Sequence, residues 1–226
     1  MIGLALAALG WVLLHVVVAG PLRPWLVGRL GLQRYRGLFT ILSFLSLGAM
    51  IWTFRQAPAV ALWPPMPALN LVPIVVIPVA ALFLLGSLRK TNPTMAGPDM
   101  VLKGELPVIG FIKITRHPML WAFSLWAASH MIASNDLRIW LLAGAILITA
   151  VNGMRSIDRK RQGDFREQWQ RFVDKTSVIP FAAAAQGRVK LRFADIGWGN
   201  VIGAAILYAV MVWAHNNIFG IPIYYK

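Results

Sequence analysis

Two of the four histidines in this chain of 226 residues lie inside strongly apolar stretches. His15 interrupts the run 2–19, and His130 lies near the end of the run 119–133. A titratable ring at membrane depth rarely faces lipid and usually points into a bundle interior. It then either donates a hydrogen bond to a neighbouring helix or holds a ligand. Because the chain has no cysteine, imidazole is the only strong ligand it offers a transition metal. Two imidazoles at similar depth on facing helices would suit the axial ligation of a haem.

Helical geometry limits which histidines can share an iron. His117 and His130 are 13 positions apart on one predicted helix, which separates them by about 20 Å in rise and roughly 220° in turn. They cannot ligate one iron, so a bis-histidine site must pair His15 with one of them. Depth favours His117, because His130 lies nearer the outer face, about 10 Å from His15 along the membrane normal. From the residues alone, both pairings remain open.

Two further polar sets lie at predicted helix ends. Arg116 and His117 precede Pro118, a favourable first residue of a helix. The free amides of that first turn predict a site for an anionic group, with a snorkelling arginine as the structural alternative. Asn152, Arg155 and Asp158 follow an i, i+3, i+6 spacing that puts them on one helical face. They predict contact with a headgroup or a cofactor edge, or else the solvated end of a helix.

The composition is that of a polytopic membrane protein. The apolar fraction is 58%, and only 13% of residues are charged, whereas a soluble domain has about a quarter charged residues. A net charge of +14 would indicate nucleic acid in a soluble protein. Here the basic residues cluster in loops that face an anionic leaflet, so we expect membrane lipids and no nucleic acid as partners.

Hydropathy predicts an all-α bundle of about six spans in a single domain over residues 1–226. Nineteen of the 22 Lys and Arg residues fall in three connections, leaving Arg55, Arg138 and Lys226 on the other side. The positive-inside rule then places both termini outside, in the periplasm of a bacterial inner membrane. The predicted spans are 2–20, 37–54, 69–88, 118–135, 137–153 and 199–216.

The longest connection, 155–196, contains a short amphipathic helix. Phe165, Trp169, Phe172 and Val173 recur at helical spacing. This pattern predicts a cytoplasmic helix that lies on the membrane or against the bundle. Acidic residues are absent from the predicted spans, which argues against a proton-coupled transporter.

The chain resembles the NnrU family of bacterial membrane proteins over nearly its whole length. That resemblance implies a role in denitrification, in support of nitrite and nitric oxide reductase function, with a reductase as a partner. It is carried by His15 and the segments 35–39 (YRGLF), 112–119 (IKITRHPM), 127–130 (AASH), 152–153 (NG), 158–159 (DR) and 176–183 (TSVIPFAA).

The family is similar in turn to the plant 15-cis-zeta-carotene isomerase, a membrane haem b enzyme. This similarity implies haem b bound through His15 and His130, with isomerase-like chemistry on a lipid-soluble substrate. Arg116 and His117 would then anchor a propionate or an anionic substrate group. The isomerase has a cysteine three residues before its second histidine, where this chain has Ala127.

A more distant resemblance links the chain to isoprenylcysteine-type membrane methyltransferases. They share the Arg-His-Pro helix start and a later aromatic-spaced segment ending in Ile-Pro, like residues 164–180 here. It implies an S-adenosylmethionine-dependent methyltransferase as the alternative enzyme. Those enzymes follow Arg-His-Pro with a tyrosine and a glycine, where this chain has Leu120 and Ala122. A non-catalytic assembly factor for a reductase is the third possibility.

Overall fold

A computed structural model describes residues 1–88, 92–95 and 106–217 of the chain, and these residues form helices and no extended strand. Arg89, Lys90, Lys103 and Lys226, which entered the orientation argument, lie outside this description. The nine α-helices of the described ranges are α1 (Ile2–Leu13), α2 (Arg23–Leu30), α3 (Leu32–Gln56), α4 (Leu71–Ser87), α5 (Pro118–Ala133), α6 (Leu137–Lys175), α7 (Ala182–Ala185), α8 (Phe193–Ile196) and α9 (Trp198–Asn217).

Within the described residues, four helical segments are long and apolar enough to cross a membrane: Leu32–Gln56, Pro67–Ser87, Leu137–Lys175 and Trp198–His215. The segment Ile2–Val18 adds a fifth if it and Arg23–Leu30, which meet at a bend of 75°, are counted as one span. Most of the apolar surface of these helices is exposed; only 6% of the apolar window of α3 is buried. Such helices need lipid around them. The chain is therefore a multi-pass membrane protein.

The predicted total of six spans is not confirmed. The predicted span 118–135 corresponds to α5, which has 16 residues and a length of about 24 Å. That is shorter than a hydrocarbon core of about 30 Å. The predicted span 2–20 ends at residue 18, where the chain bends into α2.

The connection after the predicted span 137–153 begins as a continuation of the same helix. α6 runs for 39 residues, and the backbone of Arg166 leaves the helical region at φ 38° and ψ −106°. The predicted amphipathic helix is confirmed as the last part of α6, with this kink lying directly after Phe165. Trp169 and Phe172 are buried there against Leu106 and Ile112. This apolar face therefore packs on protein, which decides between the two placements left open by the sequence.

The chain divides into two compact units, Met1–Val72 with Ala127–Gly153, and Pro73–Trp126 with Met154–Lys226. In the first unit, α1 packs on α3 around a core that includes Leu4, Ala8 and Met50. In the second unit, a cluster is formed by Phe83 of α4, Phe111 of the turn Gly110–Lys113, Ile114, and Ala122 of α5. The predicted single domain stays a prediction.

Gly86 allows a close approach between α4 and the ring of Phe111. A Cβ atom at this position would overlap the ring of Phe111, which is itself buried edge-on against Phe83. We expect Gly86→Ala to destabilise the protein by about 1–3 kcal/mol, the cost of overpacking a core. Gly48→Ala is the matched control, because Gly48 in α3 has open space around its Cβ position and alanine is the better helix former. Thermal unfolding in detergent should show a lower midpoint for Gly86→Ala only.

Candidate functional site

His15 lies in a π-helical turn, Leu14–Val18, that continues α1. Such turns widen a helix locally and occur often at functional sites. The ring Nδ1 lies 2.9 Å from the carbonyl oxygen of Trp11. A carbonyl only accepts hydrogen bonds, so Nδ1 carries the proton, and in the neutral ring Nε2 keeps its lone pair. This is the tautomer that ligates metals through Nε2, with the second nitrogen held by a backbone carbonyl.

Aromatic side chains surround His15. The Trp11 and Phe39 ring centroids lie 4.0 Å and 5.3 Å from that of His15, and Tyr35 stacks on Phe39 at 6.0 Å. The indole Nε1 of Trp11 is buried without a hydrogen-bond partner among the described residues. The site is thus apolar and flat-sided, with one unused donor, which suits a large conjugated ligand.

The chain leaves this site through Gly20. A Cβ atom there would overlap the carbonyl of Val16, so only glycine lets the backbone turn directly after the π-helical residues. Neither Trp11 nor Gly20 was predicted from the sequence as a site residue. The signal for Trp11 was present, because residues four positions apart share a helical face.

His130 lies in the last turn of α5 and is half-buried. Its backbone carbonyl accepts a hydrogen bond from the amide of Ser134, which extends the helical pattern past α5. His15 and His130 both belong to the first compact unit.

A polar cluster forms in the second unit from Arg116, His117 and Asp158. The guanidinium of Arg116 donates to Asp158 Oδ2 from Nη2 at 2.7 Å and from Nε at 3.0 Å. His117 Nε2 donates to Asp158 Oδ1 at 2.8 Å. The structure therefore joins members of two predicted sets that are about forty positions apart in sequence. The anionic group held by Arg116 and His117 here is a carboxylate of the same chain.

Backbone hydrogen bonds hold this cluster in place. The amide of Arg116 donates to the carbonyl of Ser177, and the amide of Phe181 donates to the carbonyl of Ile114. Thr115 is fully buried, and its hydroxyl donates to the Val178 carbonyl at 2.6 Å. Residues 114–116, before α5, are thus held by hydrogen bonds to residues 177–181, after α6.

Asn152 and Arg155 take no comparable position. Both are exposed, and the amide of Asn152 donates to the Ile148 carbonyl one turn earlier in α6. Of the predicted set on this helical face, Asp158 alone is seen in the polar cluster.

Burial lowers the pKa of His117 below its ordinary value, although the hydrogen bond to Asp158 opposes the shift. His117 precedes α5, outside the spans. Its Nδ1 is buried without a partner among the described residues, so protonation would add an unsatisfied donor beside the charged Arg116. The neutral ring is favoured in the folded state.

A lowered histidine pKa links stability to pH. Between the folded pKa and the unfolded value near 6.5, the unfolded chain binds a proton that the folded chain does not. We therefore expect the free energy of unfolding to fall as the pH is lowered from about 7.5 to 5.5. Unfolding of the wild type and of His117→Gln in detergent, measured at both pH values, tests this. An equal pH dependence in both proteins would contradict the assignment.

No group of three or more His, Cys, Asp or Glu side chains in the described part of the chain could hold a metal ion. A cofactor whose metal takes only one or two imidazole ligands from the protein is a different kind of site from such a group.

An open pocket of about 510 Å³ lies in the second unit. It is lined by Arg116, Val173, Asp174, Thr176, Ser177, Val178, Ile179, Ala182, Gln186 and Arg188.

Comparison with known proteins shows that part of the chain is similar to an isomerase. The chain is 34% identical to the chloroplastic 15-cis-zeta-carotene isomerase of Zea mays over 86 residues, which are 36% of this chain and 22% of the maize protein. The chain thus spans about a fifth of that relative's length. No solved structure matches the chain. The model of the NnrU protein family matches residues 3–223, and the chain therefore belongs to the NnrU family.

Proposed function

We propose that this protein binds haem b in a bacterial inner membrane through His15 and has isomerase-like chemistry on a lipid-soluble substrate. One observation carries the proposal: the Trp11 carbonyl accepts a hydrogen bond from the Nδ1–H of His15, which leaves Nε2 as a lone-pair donor. The tilted Trp11 and edge-on Phe39 supply the apolar walls that a porphyrin needs. When bound, the haem would supply redox and Lewis-acid chemistry.

The second iron ligand is His130 in this proposal. His117 is a poorer choice, because its side chain is enclosed by protein and its Nε2 is engaged by Asp158. His130 belongs to the same compact unit as His15. The resemblance to the isomerase also favours it, because a histidine in the corresponding segment is the expected ligand there.

An absorption spectrum of the purified protein tests the cofactor. We expect a Soret band in the wild type and its loss in His15→Ala, since the residue proposed to hold the haem iron is removed. His215→Ala, at the end of α9, is the matched control and should keep the band. Loss of haem in His117→Ala but not in His130→Ala would reassign the second ligand. A wild type that stays colourless after expression with excess haem would refute the proposal.

The isomerase-like activity follows from the name of the maize relative. An isomerase of that kind changes the geometry of a double bond in a polyene, which leaves the composition of the substrate unchanged. The haem-loaded protein should then convert a cis polyene to its trans isomer in liposomes, as detected by chromatography. His15→Ala should be inactive in the same assay.

From the resemblance to the NnrU family we also propose support of nitrite and nitric oxide reductase function, with a reductase as the partner. In a strain lacking the gene, the wild type should restore reductase activity and His15→Ala should not. Restoration by both would favour a non-catalytic assembly factor.

The methyltransferase remains the alternative because Arg116, from the Arg-His-Pro start of α5, lines the open pocket. In that case, calorimetry should show binding of S-adenosylmethionine to the wild type and not to Arg116→Ala. A haem-free protein that passes this test would be assigned to the methyltransferase class.

A further inference from the structure

Two aromatic side chains stand out from the protein surface where α9 begins. Phe193, the first residue of α8, is 94% exposed, and Trp198, the first residue of α9, is 82% exposed. Only a short turn at Gly197 separates the two helices. Large apolar side chains exposed together mark a surface that meets something other than water.

Ile179 and Phe181 add to this exposed apolar set. Phe181 has a φ of 66°, in the left-handed region that an aromatic residue rarely adopts. Its amide donates to the Ile114 carbonyl at 2.8 Å, and its carbonyl accepts from the Ala185 amide at 2.9 Å. The surrounding hydrogen bonds therefore hold an unfavourable backbone conformation while the side chain stays exposed, which indicates a role for Phe181 at the surface.

The segments that carry Phe181 and Phe193 both contact the turn Gly110–Lys113 or Ile114, the residue that follows it. Ile114, whose carbonyl binds Phe181, belongs to the apolar cluster against which Leu191 and Ile196 pack. The ammonium of Lys113 contacts Asp195 of α8 at 2.8 Å. Phe181 is thus hydrogen-bonded to Ile114, and α8, which begins at Phe193, is bound to Lys113 through Asp195.

The charges beside these apolar residues are mainly basic. Lys190 and Arg192 are exposed between Phe181 and Phe193. The nearby carboxylate of Asp195 accepts hydrogen bonds from Lys113 and from the backbone amide of Arg192. Exposed aromatics combined with Lys and Arg next to a spanning helix are typical of a segment at the level of lipid headgroups. α9 is such a helix and begins at Trp198.

We propose that residues 179–198 form an interfacial face that inserts Phe181, Phe193 and Trp198 into the headgroup region of an anionic leaflet. Lys190 and Arg192 contact the lipid phosphates. Ile179 also lines the open pocket, so this placement puts the pocket beside the headgroups, where an amphiphilic ligand has direct access. The proposal is independent of the haem.

The chain has no cysteine, so Phe193→Cys provides a unique site for a nitroxide label in the full-length protein. In nanodiscs containing phosphatidylglycerol, we expect the label to collide readily with oxygen and poorly with a water-soluble nickel chelate. Glu167→Cys is the water-exposed control, since its side chain is exposed beside the kink of α6. Ile206→Cys, on the exposed surface of α9, is the lipid-exposed control.

The same label also tests the basic residues. In phosphatidylcholine alone, or with Lys190→Gln and Arg192→Gln added, collisions with the nickel chelate should increase severalfold. A label at residue 193 that matches Glu167→Cys in phosphatidylglycerol nanodiscs would overturn the proposal. So would a label shielded from both reagents, because another protein surface would then cover the face. Equal depths in the two lipids would overturn the preference for an anionic leaflet.

Discussion

Replacing Asp158 with alanine should lower the free energy of unfolding by about 3 kcal/mol. Removing one partner of a buried ion pair leaves the other charge uncompensated, which costs about 3–5 kcal/mol. We expect the lower end of this range because the Asp158 side chain is 21% exposed. Arg116 would lose its ion pair with Asp158, and His117 would lose the acceptor for Nε2. Chemical unfolding in mixed micelles measures the change.

Asp174→Ala is the matched control. Asp174 lies on the exposed side of the same helix and accepts one hydrogen bond from Gln170, so its loss should change stability by no more than about 0.5 kcal/mol. The double variant Arg116→Leu with Asp158→Leu should recover part of the loss, because both charges are then removed together. If Asp158→Ala were as stable as Asp174→Ala, the cluster would not hold the start of α5 to α6.

Replacing Trp169 with alanine should destabilise the protein by about 3–5 kcal/mol, the usual cost of removing a large buried aromatic side chain. Trp169 is 1% exposed and packs on Phe172, with ring centroids 5.0 Å apart. Neighbouring side chains from α6 and from residues 106–112 cannot fill so large a cavity. The thermal unfolding midpoint should fall, and cleavage near the Arg166 kink by an added protease should accelerate.

Gln170→Ala tests whether the effect is specific to the buried face. Gln170 is the next residue of α6 and is exposed, so its truncation should change the midpoint little. A Trp169→Ala midpoint equal to that of Gln170→Ala would show that this part of α6 is held by the lipid interface instead of by the protein core.

Much of the fold could be predicted from local patterns. The apolar runs predicted helices, and the recurrence of Phe165, Trp169 and Phe172 predicted an amphipathic helix that the structure confirms. Element ends were harder to predict. The spacing gave no sign that α6 continues without a break from its span to the kink at Arg166, because charged residues are as compatible with a helix in water as with a loop.

Individual residues of the candidate site could be predicted from the sequence, but not which of them contact each other. His15 could be predicted as a site residue from its type and position. Its hydrogen bond to the Trp11 carbonyl, however, depends on the π-helical turn. Arg116 and His117 predicted an anion site, and Asp158 was placed in a different set. Only the folded chain shows that Arg116 and His117 both donate to the carboxylate of Asp158.

By itself, the sequence determined that this is a helical membrane protein, because hydropathy and charge distribution act locally and add up along the chain. It also determined that imidazole is the available metal ligand, since no cysteine is present. Tertiary structure alone decided which nitrogen of His15 keeps its lone pair and which acid compensates Arg116. The first outcome depends on the π-helical turn that follows α1. The second depends on packing the start of α5 against a part of α6 about forty positions away.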